Sequence, residues 1–143
     1  MKILNENFKH SGILILRAGI GIMFIMHGFP KIAAGYEKWS SLGMAMTNLG
    51  ISFAPAFWGF MAAFSEFGGG ILLIIGFLTR AASGFMAFTM LVASLLLINK
   101  GNGVMAASQP IELFVVFLSL VFIGAGKFSL DYKFFSGKKD KKG

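Results

Sequence analysis

Cysteine is absent from the 143-residue chain, and histidine occurs only at His10 and His27. The missing thiols exclude disulfides, a protein thiol relay and iron–sulfur ligation. The two histidines lie at opposite ends of the first apolar stretch, so they cannot both ligate one haem. The sequence also has no CxxC pair, glycine-rich nucleotide loop or metal-ligand cluster. Any redox chemistry would therefore need an electron carrier from outside the chain, either a bound molecule or a group on a partner protein.

Charge is also scarce, since Asp, Glu, Lys and Arg make up 13% of the residues, apolar residues make up 56%, and the mean hydropathy is +0.76. Four apolar stretches carry this bias, at 12–28, 56–77, 81–98 and 111–125. At about 1.5 Å per helical residue, each spans most of a hydrocarbon core of about 30 Å, the last only just. None has the polar face of a soluble bundle. The sequence predicts an all-α integral membrane protein, a single domain over 1–143 with four transmembrane helices in a bundle.

Basic residues are distributed unevenly between the two sides of this predicted bundle. The side that holds both termini carries most of them: Lys2, Lys9, Arg80, Lys127, Lys133, Lys138, Lys139, Lys141 and Lys142. The other side carries Lys31, Lys38 and Lys100. The positive-inside rule therefore predicts a multi-pass membrane protein with both termini in the cytoplasm. We interpret the basic tail, 138–143, as an anchor for anionic lipid, with no nucleic-acid partner.

The connections between the apolar stretches differ in length. Residues 78–80 form a tight antiparallel hairpin between the second and third stretches, whereas the first connection is long. Within that connection Trp39, Leu42, Met46 and Leu49 recur at helical spacing. This pattern predicts an extra interfacial helix between helices 1 and 2. It either roofs a cavity between the helices or serves only as an anchor.

Glu66 is an acidic residue near the middle of the second apolar stretch, where a carboxylate costs about 2.5 to 3.5 kcal/mol. Small residues three and four positions away share its helical face: Ala62, Ala63, Gly69 and Gly70. Glu66 is therefore predicted to point into the bundle rather than at lipid. Its candidate partners are all on helix 1, namely Arg17 from the cytoplasmic side, and His27 or Lys31 from the outer side.

The polar residues of the predicted spans provide the candidate site. We take Glu66 and His27 as candidate catalytic residues. The candidate ligand-binding residues are Arg17, Lys31, Arg80, Asn99 and Glu112, and no metal site is predicted. Structural alternatives remain open, because Glu66 could fix helix register through an ion pair, and His27 could cap a helix end. Glu112 could interact favourably with the dipole at the start of helix 4. Arg17 and Arg80 could anchor their helices at the cytoplasmic boundary of the membrane.

Several short motifs occur in a fixed order along the chain. They are Arg17, Gly21, 27–31 (HGFPK), 66–72 (EFGGGIL), 76–80 (GFLTR), 110–113 (PIEL) and 124–131 (GAGKFSLD). In this order they resemble the DoxX family of small bacterial membrane proteins, over 16–131. The resemblance implies a four-helix membrane protein linked to quinone-dependent or respiratory oxidoreductase chemistry. Many relatives have a histidine near the outer end of helix 3, where this chain has Asn99.

The leading hypothesis is a site within the bundle for a quinone- or lipid-like small molecule that serves a membrane oxidoreductase system. Glu66 would exchange a proton or hydrogen bond with the ligand, His27 and Lys31 would line the outer entrance, and Arg17 and Arg80 would hold the carboxylate or an anionic group from the cytoplasmic side. Expected partners are membrane lipid, a quinone, and a redox partner protein or a second copy of the chain. No covalently bound cofactor is expected. Two alternatives are a proton-coupled small-molecule transporter and a non-catalytic assembly subunit of a membrane complex.

Overall fold

The computed structural model describes residues 2–136, and within this range the chain is helical with no β-strand. The basic tail predicted at 138–143 lies outside the described residues. The α-helices are α1 (Lys2–Ala33), α2 (Tyr36–Gly43), α3 (Pro55–Ile75), α4 (Thr79–Leu97), α5 (Gly103–Ala106) and α6 (Ser108–Ile123). A 3-10 helix, Met44–Leu49, follows α2, and π-helical turns occupy Ile98–Asn102 and Tyr132–Ser136. The all-helical prediction is therefore confirmed.

Three segments of the described chain are long and apolar enough to cross a membrane: Asn5–Ala33, Pro55–Ile75 and Thr79–Ala106. Helix α6 is also apolar but has only 16 residues. Helix α1 extends beyond the predicted stretch, 12–28, at both ends and continues for three residues past Pro30. Its last turn is held from outside the helix, because the indole Nε1 of Trp39 donates to the Lys31 carbonyl at 3.0 Å. That carbonyl is one of the helix-end acceptors without an intrahelical partner.

Glycines allow α1 and α3 to pack backbone against backbone. A Cβ placed on Gly21 would lie 2.7 Å from the Gly70 carbonyl oxygen, and a Cβ on Gly70 would lie 2.7 Å from the Gly21 carbonyl oxygen. Gly28 lies against the backbone of Phe67 in the same way. Small residues at such crossings let two apolar helices approach closely. Gly21 and Gly28 thus lie on the surface of α1 that contacts α3.

Helix α3 packs against α1 on one side and against α4 on another. Gly69 faces Met86 of α4, whose sulfur would lie 2.7 Å from a Cβ at that glycine. Helix α6 packs against α4, and its Phe117 ring meets the Phe24 ring of α1 edge-on at 5.0 Å. The buried apolar core joins four helices: Phe24, Leu73, Met86, Ala87, Met90, Phe117 and Leu120.

Helix α2 confirms the predicted extra helix between helices 1 and 2, and it packs along the first half of α3. Gly43 lies against the Pro55 carbonyl, and Gly59 lies against the Trp39 carbonyl, so neither position has room for a side chain. The ring of Trp39 also meets Phe60 at 5.0 Å between centroids. Helix α2 therefore covers the part of α3 that lies beyond the end of α1.

The hairpin between α3 and α4 defines one end of the molecule, which we call the basal end. Gly76 ends α3 in the left-handed region (φ 68), where glycine has no steric penalty. Helix α6 runs antiparallel to α4 and returns to this end, because the Phe122 carbonyl accepts a bond from Arg80. The opposite end, formed by the last turns of α1 and α4 together with α2, is the distal end.

Candidate functional site

Glu66 forms a bidentate ion pair with Lys31. The Lys31 Nζ donates to Oε1 at 2.7 Å and to Oε2 at 2.6 Å. The Glu66 side chain is only 6% exposed, whereas that of Lys31 is 32% exposed. The predictions that Glu66 points into the bundle and finds its partner on helix 1 are therefore confirmed. Of the three candidates, the partner is Lys31.

Local packing explains why Lys31 reaches the middle of α3. Gly28 allows α1 to touch α3 at Phe67, one residue beyond Glu66. Lys31 is three residues further along α1, so it lies on nearly the same face and nearer the distal end. The bond from Trp39 to its carbonyl holds this turn in helical conformation. Two contacts therefore place Lys31 beside Glu66. One is the close packing of Gly28 on Phe67, and the other is the hydrogen bond from the Trp39 indole.

One cleft opens between α1 and α6, and we call it the α1–α6 cleft. Its volume is about 390 Å³. Its walls are Gly19, Ile20, Met23, Phe24, His27, Lys31, Glu66, Met90, Gln109, Pro110 and Leu113. Besides the ion pair, His27 and Gln109 are its polar side chains, so this cleft presents both hydrogen-bonding and apolar surface.

A second cleft lies between α2, α3 and α4, and we call it the α2–α4 cleft. Its volume is about 330 Å³, and its walls are mostly apolar and aromatic, including Phe57, Trp58, Phe85 and Phe88. Near Glu66 it also has hydroxyl groups, with the Thr89 Oγ1 donating to the Ser65 Oγ at 3.1 Å. The indole N–H of Trp58 is buried without an acceptor among the described residues. The cleft thus combines an apolar wall with a few polar groups, as small-molecule sites do.

The ion pair lies at the junction of these clefts, because Lys31 and Glu66 are the two residues that line both. An ammonium group has three donors, and two of them go to Glu66. The third remains for an oxygen of a bound molecule. Each carboxylate oxygen also keeps acceptor capacity. The pair can therefore donate to a carbonyl oxygen and accept from a hydroxyl in the same place.

The other candidate residues on the side of the bundle away from the basal end differ in whether they line a cleft beside this pair. His27 is exposed and lines the α1–α6 cleft. Asn99 donates to the Asn48 side chain at 2.8 Å, linking the end of α4 to the 3-10 helix, and it lines neither cleft. Glu112 is exposed in the first turns of α6 and also lines neither cleft. Sequence reasoning missed Gln109, whose signal was its place one helical turn before Leu113.

Arg17 lies at the basal end, away from Glu66, and its side chain is completely buried. Its Nη1 donates to the Leu73 carbonyl at 2.8 Å and its Nη2 to the Phe128 carbonyl at 2.7 Å, while Nε has no partner among the described residues. The Leu73 carbonyl belongs to the last turn of α3, where the helix dipole favours a cation. A side chain at Gly76 would collide with this guanidinium. Arg17 thus ties α1 to α3 and to the segment after α6.

Asp131 is a structural residue that the candidate list did not include. Its Oδ1 accepts from the Leu78 amide at 2.7 Å and its Oδ2 from the Thr79 amide at 2.9 Å, while its own amide donates to the Gly76 carbonyl at 2.9 Å. The carboxylate therefore caps α4, where no side chain of the preceding residues does so. We call Arg17, Gly76 and Asp131 together the basal clasp.

Arg80 also lies at the basal end, exposed, in a cleft that shares no residue with the two beside Glu66. Arg17 and Arg80 are therefore not brought together with the carboxylate that they were expected to hold. Among the described residues, no group of three or more His, Asp or Glu side chains could hold a metal ion. The residues suited to a small organic ligand are those around the Lys31–Glu66 pair.

Comparison with known proteins gives one family. The DoxX family model matches residues 12–99. "Inner membrane protein YqjF" of Escherichia coli is 34% identical over 88% of this chain and 94% of its own length. "Putative oxidoreductase CatD" of Bacillus subtilis is 27% identical over 96% of each chain, and an uncharacterized protein of Haemophilus influenzae is 32% identical over 91% of this chain and 96% of its own. No solved structure matches the chain.

Proposed function

The chain is a membrane protein that belongs to the DoxX family, and from this premise we propose that its bundle binds a quinone- or lipid-like small molecule beside the Lys31–Glu66 pair. The observation that carries the proposal is the position of this pair, which is buried and lines both the α1–α6 cleft and the α2–α4 cleft. A buried ion pair that served only to fix helix packing would not need to border two clefts.

The chemistry around the pair suits a quinone. A quinone presents carbonyl oxygens on an apolar ring, so its oxygen would accept the third N–H of Lys31 while the ring packs on aromatic side chains such as Phe88. In the reduced form the hydroxyl would donate to Glu66. The α2–α4 cleft is more apolar than the α1–α6 cleft, so we assign it to the ring and any tail. His27 and Gln109 would then face the polar side of the ligand.

We further propose that the protein serves a quinone-linked oxidoreductase system of the membrane. The chain has no cysteine, so the electron carrier would be the bound quinone or a group on a partner protein. The Bacillus subtilis relative, which has the word oxidoreductase in its name, supports this association. The transporter alternative began from a lone intramembrane carboxylate, whereas Glu66 has a cationic partner.

The test is quinone binding by the purified protein, followed by quenching of tryptophan fluorescence because Trp58 lines the α2–α4 cleft. We expect Glu66→Gln to weaken binding about tenfold or more, since hydrogen bonds to charged groups contribute about 1.5 to 3 kcal/mol. Glu37→Gln, which changes an exposed carboxylate of α2 in the same way, is the matched control. Equal quinone affinity in wild type and Glu66→Gln would reject the assignment.

For the topology, we propose four membrane crossings with both termini in the cytoplasm. Helix α6 supports the fourth crossing, because it packs antiparallel along α4 and returns to the basal end beside Arg80. An inner membrane protein among the relatives supports the location.

The topology is tested by labelling single introduced cysteines with a thiol reagent that does not cross the membrane. Because the chain has no cysteine of its own, each variant is labelled only at the introduced position. Lys9→Cys and Lys133→Cys should react only from the cytoplasmic side, and Lys38→Cys and Lys100→Cys only from the outer side; any exchange between these pairs contradicts the topology.

A further inference from the structure

A third cleft occupies the basal end and takes no part in the Lys31–Glu66 site. It has a volume of about 620 Å³ and lies between the first half of α1, the start of α4 and the segment after α6. Three nitrogen-bearing side chains line it: His10, Arg80 and Lys127. Because they come from three distant parts of the chain, folding is what brings them together. We call this the basic cleft.

The positive charge of the basic cleft is only partly balanced. Asp131 is its acidic wall residue, but both carboxylate oxygens already accept backbone amides at 2.7 and 2.9 Å. Arg80 makes one long bond, 3.4 Å, to the Phe122 carbonyl. Within residues 5–135, neither Arg80 nor Lys127 has a carboxylate within ion-pairing distance. Two cations therefore face the cleft with donors to spare.

His10 also lines the cleft, and its ring is held by the backbone. Its Nδ1 accepts the Lys127 amide at 3.3 Å, so in the neutral ring the proton is on Nε2. That Nε2 is buried and has no hydrogen-bond acceptor in the described part of the chain. The nearest carboxylate oxygen, of Glu6, lies 3.7 Å away, beyond hydrogen-bond distance. Because this Nε2 has no accessible surface, His10 forms part of the wall of the cleft, and Arg80 and Lys127 are the donors that a ligand can reach.

We propose that the basic cleft binds a phosphate group, contacted by Arg80 and Lys127, and that an anionic lipid headgroup supplies it. A guanidinium matches phosphate geometry, and an ammonium adds a point charge. The apolar rim favours a lipid over a free anion, because Ile123 and Phe135, which line the cleft, are 55% and 61% exposed. Basic pockets at the ends of membrane helices bind such headgroups in the same way.

The proposal is tested by native mass spectrometry of the full-length protein in neutral detergent, titrated separately with phosphatidylglycerol, phosphatidylcholine and inorganic phosphate. We expect phosphatidylglycerol to bind and the double variant Arg80→Gln/Lys127→Gln to bind it about tenfold or more weakly, since each basic residue near the headgroups contributes about a fivefold factor. The double variant Lys9→Gln/Lys133→Gln removes the same charge from exposed positions of the same end outside the cleft, and it should retain wild-type affinity.

Each outcome decides a part of the proposal. Selective binding of phosphatidylglycerol that only the cleft variant loses supports a lipid source. Binding of inorganic phosphate that displaces the lipid supports the phosphate chemistry with a soluble source as well. Equal binding of phosphatidylcholine and phosphatidylglycerol, equal losses in both double variants, or no binding of either phosphate probe would overturn it. Thermal unfolding of each variant separates lost binding from lost folding.

Discussion

Arg17 at the basal end and Glu66 at the middle of α3 are both buried charges of the same bundle, but their partners differ in kind. Arg17 donates to two backbone carbonyls that belong to helix ends and a loop, and no side chain carries an opposite charge within ion-pairing distance in the described chain. Glu66 is bound by the flexible side chain of Lys31 at the meeting point of two clefts. Backbone carbonyls are fixed by the helices that carry them. A flexible side chain such as that of Lys31 can move and form a hydrogen bond to a ligand instead.

From this difference we expect the basal clasp to contribute mainly to stability and the Lys31–Glu66 pair to the proposed ligand binding. The clasp joins α1, the α3–α4 turn and the segment after α6 through main-chain groups, so its loss should loosen three elements together. The pair joins only α1 and α3, which also touch through glycines. Variants at the two places should therefore separate unfolding from ligand binding.

Arg17→Met should give the largest effect, a loss of about 3 to 5 kcal/mol in the free energy of unfolding. It leaves the Leu73 and Phe128 carbonyls without their donor and removes a fully buried side chain. Reversible unfolding in mixed detergent measures the change. Arg80→Gln, an exposed arginine of the same end, should stay close to wild type. A stable Arg17→Met protein would show that the clasp does not hold the fold.

Lys31→Met should cost about 2 to 3 kcal/mol in the same assay, somewhat less than the loss of Arg17. The cost arises because the Glu66 carboxylate stays buried without its cation. It is reduced because Lys31 is partly exposed and solvent can reach the pair. Lys38→Met, an exposed lysine of α2, is the control and should change little. An unchanged stability in Lys31→Met would show that the ion pair contributes nothing to folding.

Asp131→Asn should have a smaller effect, about 1 to 2 kcal/mol. One amide bond to the start of α4 can survive through the Asn carbonyl oxygen, while the other meets an NH₂ group that cannot accept it. Amide hydrogen exchange should increase first at Leu78 or Thr79, at whichever of the two amides faces the NH₂ group and loses its acceptor. Unchanged exchange at both amides would contradict the capping role.

The sequence predicted the Lys31–Glu66 pair better than the basal clasp, for a physical reason. Glu66 has small residues on its own helical face, and its partner is a charged side chain on helix 1, so both follow from helical spacing. Arg17 instead finds carbonyls at Leu73 and Phe128, and every residue has a carbonyl, so no residue type marks the partner. Asp131 likewise caps a helix far away in sequence.

The end of α1 and the contacts of α2 were also not predictable from the spacing of residues within one segment. Helix α1 continues to Ala33, beyond the predicted stretch 12–28, and Trp39 donates to the Lys31 carbonyl in its last turn. Pro30 alone would have favoured an earlier end. The long connection was predicted to contain a helix, but spacing could not show that Gly43 and Gly59 bring α2 into backbone contact with α3. Contacts between backbones are set by the packing of whole helices, which a single segment does not reveal.

The most direct test of the central claim is quinone affinity in the double variant Lys31→Met/Glu66→Met. Replacing both members of a buried ion pair by apolar residues of similar size is often neutral for stability. The account predicts unfolding close to wild type together with loss of quinone binding by about tenfold or more. Wild-type quinone affinity in this folded double variant would contradict it, and would leave the pair as a contact that only holds α1 against α3.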